Sequence, residues 1–87
     1  MTELPRRALL RPRSLAPEQY AAVRVTTAGA PVPVVAWVVW ESGVEELVGA
    51  VEQAVAVSWT SKAVLVRWGV PPRVLEAWVW AGAVSRR

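Results

Sequence analysis

The sequence predicts an all-β fold, and three observations lead to this prediction. Eighteen of the 87 residues are valine, a β-branched residue that favours strands. Apolar side chains recur at every second position in several stretches, which is the period of a strand. Clusters of glycine, proline and serine separate these stretches at turn-like intervals. Because 87 residues suffice for one small core, we expect five short strands closed into a small barrel.

The N-terminal segment is predicted to be a flexible basic arm over residues 1–17, followed by the β-barrel domain over residues 18–87. The arm holds three prolines and four arginines, and it has few large apolar side chains to bury. Ser14 is placed to cap a short turn that opens at Pro17. The arm itself therefore contributes charge rather than core.

Two strands are expected next. Residues 21–27 alternate valine with arginine and threonine, and residues 28–31, which include a glycine and a proline, are expected to break the chain. Apart from one proline near the start, residues 32–40 are only valine, alanine and tryptophan. That composition is typical of a strand buried on both faces, or nearly so.

The stretch after Ser42 leaves two alternatives open. Ser42 followed three residues later by Glu45 fits the capping box that begins a helix, and the apolar residues beyond it recur at helical spacing. High valine content and Gly49 weigh against a helix. We therefore favour a strand that bends at Gly49 and runs to Trp59, and we keep a helix over residues 44–53 as the alternative.

A hairpin and a final strand are predicted for the rest of the chain. Residues 59–63 are a short polar interruption between two valine-rich runs, which favours a tight turn before a strand over 63–68. Residues 69–73 contain two consecutive prolines and are expected to be a loop. A last strand over 74–80 is followed by a single turn over 81–84.

The charge distribution points to an anionic partner. The net charge of +3 lies in residues 1–30, because residues 31–87 carry equal numbers of basic and acidic groups. A basic arm on a neutral body suits nucleic acid, although a solvated tail without a ligand is the plainer interpretation. Aromatic rings beside arginine on a β surface stack on bases, and basic groups contact phosphates. The predicted nucleic-acid-binding residues are Arg6, Arg7, Arg11, Arg13, Lys62, Arg67, Trp68 and Arg73.

The six tryptophans suggest a competing partner. A small barrel encloses two or three of them, so their plainest role is in the core. Both faces of the strands expected over 32–40 and 74–80 are apolar, however, and an outward apolar face usually marks an interface. A protein partner or a homodimer is therefore the alternative to nucleic acid. The predicted protein-interface residues are Trp37, Trp40, Trp78 and Trp80.

The residue types that are missing argue against catalysis. The chain has no histidine, cysteine or aspartate, so thiol chemistry, a Ser–His pair, disulfides and zinc-finger spacings are excluded. We expect no enzymatic activity, no cofactor, no metal site and no small-molecule substrate. The longest uncharged run, residues 25–40, is shorter than the roughly 20 apolar residues of a membrane helix and contains two prolines. We therefore expect no membrane partner and a cytoplasmic location.

The strand order resembles the SH3-like small β-barrels, including their Tudor and chromo types. The resemblance is carried by residues 48–51, 57–59, 64–68 and 78–84, the last of which join a strand to a single turn and a closing segment. It covers residues 32–87 at most. It implies the barrel fold and, by analogy, binding of peptide or nucleic acid on an exposed strand face or loop rim. The aromatic cage that reads methyl-lysine in those families has no counterpart that can be placed here.

A second resemblance covers residues 68–82. The run from Gly69 to Arg73, with the apolar and tryptophan positions after it, is similar to the helix-turn-helix of excisionase and MerR-type proteins. That family would place Arg73 at the start of a DNA-reading helix. The strand-like residues 62–68 stand where this family has a helix. Helix-turn-helix DNA binding is therefore the second alternative.

Overall fold

The structure is a computed structural model that describes residues 10–19 and 24–87. It is an all-β fold, as predicted, and the described residues form no α-helix. The strands are β1 (Arg11–Pro12), β2 (Thr26–Glu41), β3 (Glu46–Trp59), β4 (Ala63–Val70), β5 (Arg73–Trp80) and β6 (Val84–Arg86). Two short 3₁₀ turns lie at Pro17–Gln19 and Ala81–Ala83.

The strands form one antiparallel sheet in the order β1-β2-β3-β4-β5. β6 also pairs with β2, along residues 34–36, whereas β1 pairs with the end of β2 at residues 40 and 41. In the described part of the chain, no ladder joins β2 to β5, so the sheet does not close into the expected five-stranded barrel. An open seam therefore runs between these two strands.

The predicted break at residues 28–31 is wrong, because β2 continues through it. The pairing with β3 becomes irregular there instead. Thr27 faces Ser58 and Val32 faces Ala56, so β2 advances five residues while β3 advances two. A bulge of this kind accommodates glycine and proline within a strand without ending it.

The alternative of a helix over 44–53 is also wrong, since this stretch belongs to the turn before β3 and to β3 itself. The Ser42 hydroxyl accepts hydrogen bonds from the backbone N–H groups of Val44 and Glu45, each at 3.2 Å, as it would at the start of a helix. The Ser42 N–H, however, donates to the Glu45 carbonyl at 2.9 Å, which closes a hairpin turn. Gly49, where a bend was expected, pairs regularly with Val38, and the register shift lies at residues 52–53.

The turn between β3 and β4, at the position where the hairpin was predicted, has the same hydrogen-bond pattern. The Thr60 hydroxyl accepts hydrogen bonds from the backbone N–H groups of Lys62 and Ala63, each at 3.0 Å. The Thr60 N–H donates to the Ala63 carbonyl at 2.8 Å. Thr60 is buried, unlike its counterpart in the first hairpin.

The loop predicted over residues 69–73 is shorter than expected, because only Pro71 and Pro72 lie outside the strands. Gly69 makes this tight turn possible. Its φ of +95° favours glycine, and a Cβ at this position would overlap the Arg73 carbonyl oxygen. Arg73 begins a strand rather than a recognition helix, so the helix-turn-helix expectation is wrong for this segment.

The core consists of small side chains. The buried cluster is made entirely of valine and alanine: Val34, Ala36, Val38, Ala54, Ala56, Val66, Ala77 and Val79. Alternation along the strands aims these side chains inward and their neighbours outward. Strand faces that carry alanine can approach one another closely, and bulky residues are left to the margins of the core and to the outer surface.

Candidate functional site

The six tryptophans divide into two sets of three. The inner set, Trp40, Trp59 and Trp68, packs against the core cluster. The rings of Trp40 and Trp68 meet edge to face, with centroids 5.8 Å apart and planes at 73°. The outer set is Trp37, Trp78 and Trp80, which alternate along β2 and β5 with buried core residues. Of the four predicted interface tryptophans, Trp40 is thus the one that lies on the core side.

The outer set lines a single groove of about 360 Å³ beside the seam between β2 and β5. Val39 and Val48, which face each other across β2 and β3, extend the same apolar surface. The surface is open to solvent: Trp37 is 56%, Trp80 47% and Val48 67% exposed. Large apolar groups left exposed together on a small domain are typical of a binding surface.

Residues 11–16, here called the strap, form one wall of the groove. The Arg13 N–H donates to the Val39 carbonyl at 2.7 Å, and the Leu15 N–H donates to the Trp78 carbonyl at 2.9 Å. The Trp78 N–H donates in turn to the Ser14 hydroxyl at 2.8 Å. The strap therefore bridges β2 and β5 across the seam. These residues come from the segment predicted to be a flexible arm, and Ser14 binds β5 instead of capping the turn at 17–19.

Arg13 anchors the strap through two carboxylates. Its Nε donates to Glu41 Oε1 at 2.8 Å, and its guanidinium also pairs with Glu46, which lies opposite Glu41 in the β2–β3 register. The hydrogen bonds to Glu41, and then those to Glu46, raise the pKa of the Arg13 guanidinium. Arg11 also faces Glu41 in the β1–β2 register, so two arginines balance two carboxylates at this end of the groove.

The predicted nucleic-acid-binding residues do not form one rim. Arg67 donates to Glu76 at 2.6 Å, so its charge is paired. Lys62 lies in the turn before β4 and Arg73 follows the turn after it; the eight residues of β4 separate them by roughly 25 Å. Trp68 packs on the core side.

The remaining predicted cations are in the N-terminal segment. Arg11 is exposed on β1, where it faces Glu41, and Arg13 is paired as described above. Arg6 and Arg7 lie outside the described residues. Among the residues that the structure does describe, the cations are therefore paired with carboxylates or spread over different ends of the sheet.

The groove offers hydrogen bonding and apolar contact rather than reactive chemistry. Besides the tryptophans, its polar lining residues are Arg13, Ser14 and Gln19. Within residues 10–19 and 24–87 no cluster of three or more acidic, histidine or cysteine side chains is arranged to hold a metal ion. The arrangement is suited to holding an apolar, hydrogen-bonding chain.

Sequence reasoning did not select Val39, Val48, Ser14 or Leu15 as binding residues. Val39 and Val48 looked like ordinary strand residues, and Leu15 was an isolated apolar residue in a charged segment.

No family model matches this sequence, and neither the curated proteins nor the solved structures contain a match to it. No helix in the described part of the chain is long and apolar enough to span a membrane.

Proposed function

We propose that this chain is a non-enzymatic protein-interaction module that holds an extended, proline-containing segment of a partner protein in the groove between β2 and β5. The observation that carries the proposal is the outward placement of Trp37, Trp78 and Trp80 around one groove. Exposed tryptophans in a groove are the residues most often responsible for binding energy at protein interfaces.

The chemistry of the groove favours proline. A polyproline II segment has no internal hydrogen bonds, so its carbonyls are free to accept from the indole N–H groups of Trp37 and Trp80, and its rings pack flat on aromatic faces. Trp78 and Trp80 are two residues apart on β5, a rise of about 6.8 Å, which leaves room for a pyrrolidine ring between indoles.

The strap supports the same class of ligand. It is an extended segment that contains Pro12 and precedes Pro17, and its backbone N–H groups donate to the carbonyls of Val39 and Trp78. The chain thus already places one proline-containing segment along this surface.

The SH3-like small barrel is the fold type that fits this proposal. β5 is followed by a single 3₁₀ turn and by the closing segment β6, which pairs with β2. Aromatic-lined grooves for polyproline segments are a recurring use of small β domains. We also propose that the protein is cytoplasmic.

The experiment is a calorimetric titration with two synthetic ten-residue peptides, one with four prolines and an arginine at each end, the other with every proline replaced by alanine. We expect only the first to bind. Trp37→Ala should weaken binding at least tenfold, since a groove tryptophan typically contributes more than about 1.4 kcal/mol. Val44→Ala, at an exposed site in the β2–β3 turn, is the matched control and should leave affinity unchanged.

Two results would overturn the proposal. One is equal binding, or no binding, of the two peptides. The other is tight, steeply salt-dependent binding of random single-stranded DNA or RNA that Trp37→Ala leaves intact, which would restore nucleic acid as the ligand. The pairing of Arg13 and Arg67 with carboxylates is the reason not to expect the nucleic-acid result.

A further inference from the structure

The outer edge of β5 is unpaired over part of its length. β5 pairs with β4 on one side, and on the other side both backbone groups of Trp78 bind the strap. Backbone groups alternate between the two edges of a strand, so those of Val74 and Glu76 point to the same side as those of Trp78. In the described part of the chain nothing pairs with them.

This edge lacks the features that usually protect a sheet edge. The β4–β5 ladder has eight consecutive pairs without a bulge, and β5 contains no proline or lysine. Its charged side chains are Arg73, at the first position of the strand, and Glu76, which Arg67 already neutralises at 2.6 Å. Val74 is 42% and Leu75 39% exposed. The edge therefore presents hydrogen-bonding groups between apolar side chains.

We infer that this edge is a self-association site, at which β5 of a second copy of the chain pairs antiparallel with Leu75 on the two-fold axis. The inference does not depend on the ligand of the groove. Such an interface is isologous, with the same edge contributed by both subunits.

The register follows from the residues themselves. With Leu75 on the axis, Val74 exchanges two hydrogen bonds with the partner's Glu76. By symmetry, Glu76 exchanges two more with the partner's Val74. All the free backbone groups of these two positions are then satisfied, and Trp78, which the strap holds, faces the partner's Pro72, a turn residue outside β5.

The neighbouring registers fail. An axis at Glu76 sets two carboxylates directly opposite each other and requires Trp78, which the strap already holds. An axis at Val74 places Glu76 opposite Pro72, which has no N–H to donate. This strand is therefore complementary to itself in one register, which argues for a second copy as the occupant.

Disulfide trapping tests the register directly. The chain has no cysteine, so Leu75→Cys introduces a single thiol. Across the two-fold axis Leu75 occupies a non-hydrogen-bonded pair, with Cα atoms about 4.5 Å apart, within the range that a disulfide spans. We expect mild oxidation to convert this variant almost fully to a covalent dimer. Val48→Cys, at a more exposed site on β3, is the control and should stay monomeric.

Light scattering after size exclusion provides the second test. The wild-type mass should rise from 9.5 kDa toward twice that value as concentration increases. Val74→Pro removes an N–H that points to the open edge while keeping the ladder to β4, and it should remain monomeric. Val74→Thr keeps that N–H and should associate as the wild type does.

The inference would be overturned by a wild-type mass that stays at the monomer value, by association of Val74→Pro equal to that of Val74→Thr, or by cross-linking of Val48→Cys as efficient as that of Leu75→Cys. Loss of the dimer in Trp37→Ala alone would also overturn it, by assigning association to the groove. If far-ultraviolet circular dichroism shows that Val74→Pro is unfolded, the two cysteine variants still decide the question.

Discussion

At the scale of single residues, the placement of the tryptophans decides what the surface can bind. Both faces of the strands around Trp37 and Trp78 are apolar, so hydropathy predicts that something apolar faces outward but not which side. The structure buries the side that carries Ala36 and Ala77. Alanine lets two strand layers approach closely, whereas an indole would hold them apart. The position of the alanines is the signal that distinguishes the two faces.

The small core predicts a sharp asymmetry between two alanines. Ala36 is fully buried, whereas Ala50, which faces Trp37 on the outer surface, is exposed. Ala36→Leu should destabilise the fold by about 1–3 kcal/mol through overpacking, and Ala50→Leu should change stability by no more than about 0.5 kcal/mol. Urea unfolding followed by circular dichroism measures both. Equal effects of the two substitutions would contradict this description of the core.

Gly69 should be intolerant of any side chain. Gly69→Ala forces a positive φ on alanine and a clash with the Arg73 backbone, so we expect a loss of about 2–3 kcal/mol in the free energy of unfolding. At Gly29 a Cβ meets no atom within 4 Å. Gly29→Ala should therefore be neutral or stabilise by up to about 1 kcal/mol, because it restricts the unfolded chain. Thermal and urea unfolding of the two variants side by side provide the test.

At the scale of elements, local patterns predicted where strands lie better than how they connect. The valine-rich runs at 32–40, 63–68 and 74–80 are all strands, because β-branched residues and alternation are local signals. The capping box at Ser42 was ambiguous for a physical reason. A hydroxyl that accepts from the two backbone N–H groups ahead of it serves a hairpin turn as well as a helix start.

The two hydroxyl-closed turns should differ in their contribution to stability. Thr60→Val leaves two N–H groups next to a buried site without their acceptor, and we expect a loss of about 1–3 kcal/mol. Ser42→Ala leaves the N–H groups of Val44 and Glu45 to bond with water in an open turn, so the free energy of unfolding should fall by less than about 1 kcal/mol. Thr60→Ser retains the acceptor and is the control. Thermal melts that rank Ser42→Ala as the more harmful substitution would contradict this assignment.

The strap is the element that sequence reasoning could not place. Prolines and arginines in residues 1–17 are compatible with an unstructured arm, and nothing local indicates otherwise. The attachment depends on Glu41 and Glu46, which lie 28 and 33 residues beyond Arg13. Long-range ion pairs of this kind leave no periodicity in a single sequence.

At the scale of the whole molecule, the all-β class could be predicted from the sequence, but whether the sheet closes into a barrel could not. Closure depends on whether two distant edges meet, and here the strap bridges β2 and β5 at the seam. The choice of ligand also depends on this scale. The net charge of +3 suggested nucleic acid, but the structure pairs Arg13 and Arg67 with carboxylates and gathers three tryptophans around one groove.

The most direct test of the groove is a ¹H–¹⁵N NMR titration that follows the indole N–H signals of the six tryptophans as the proline-rich peptide is added. Each tryptophan is assigned by single substitution to phenylalanine. We predict that the signals of Trp37, Trp78 and Trp80 shift together to saturation, while those of Trp40, Trp59 and Trp68 stay in place. Shifts confined to the inner set, or no shift in any of the six, would contradict a binding site between β2 and β5.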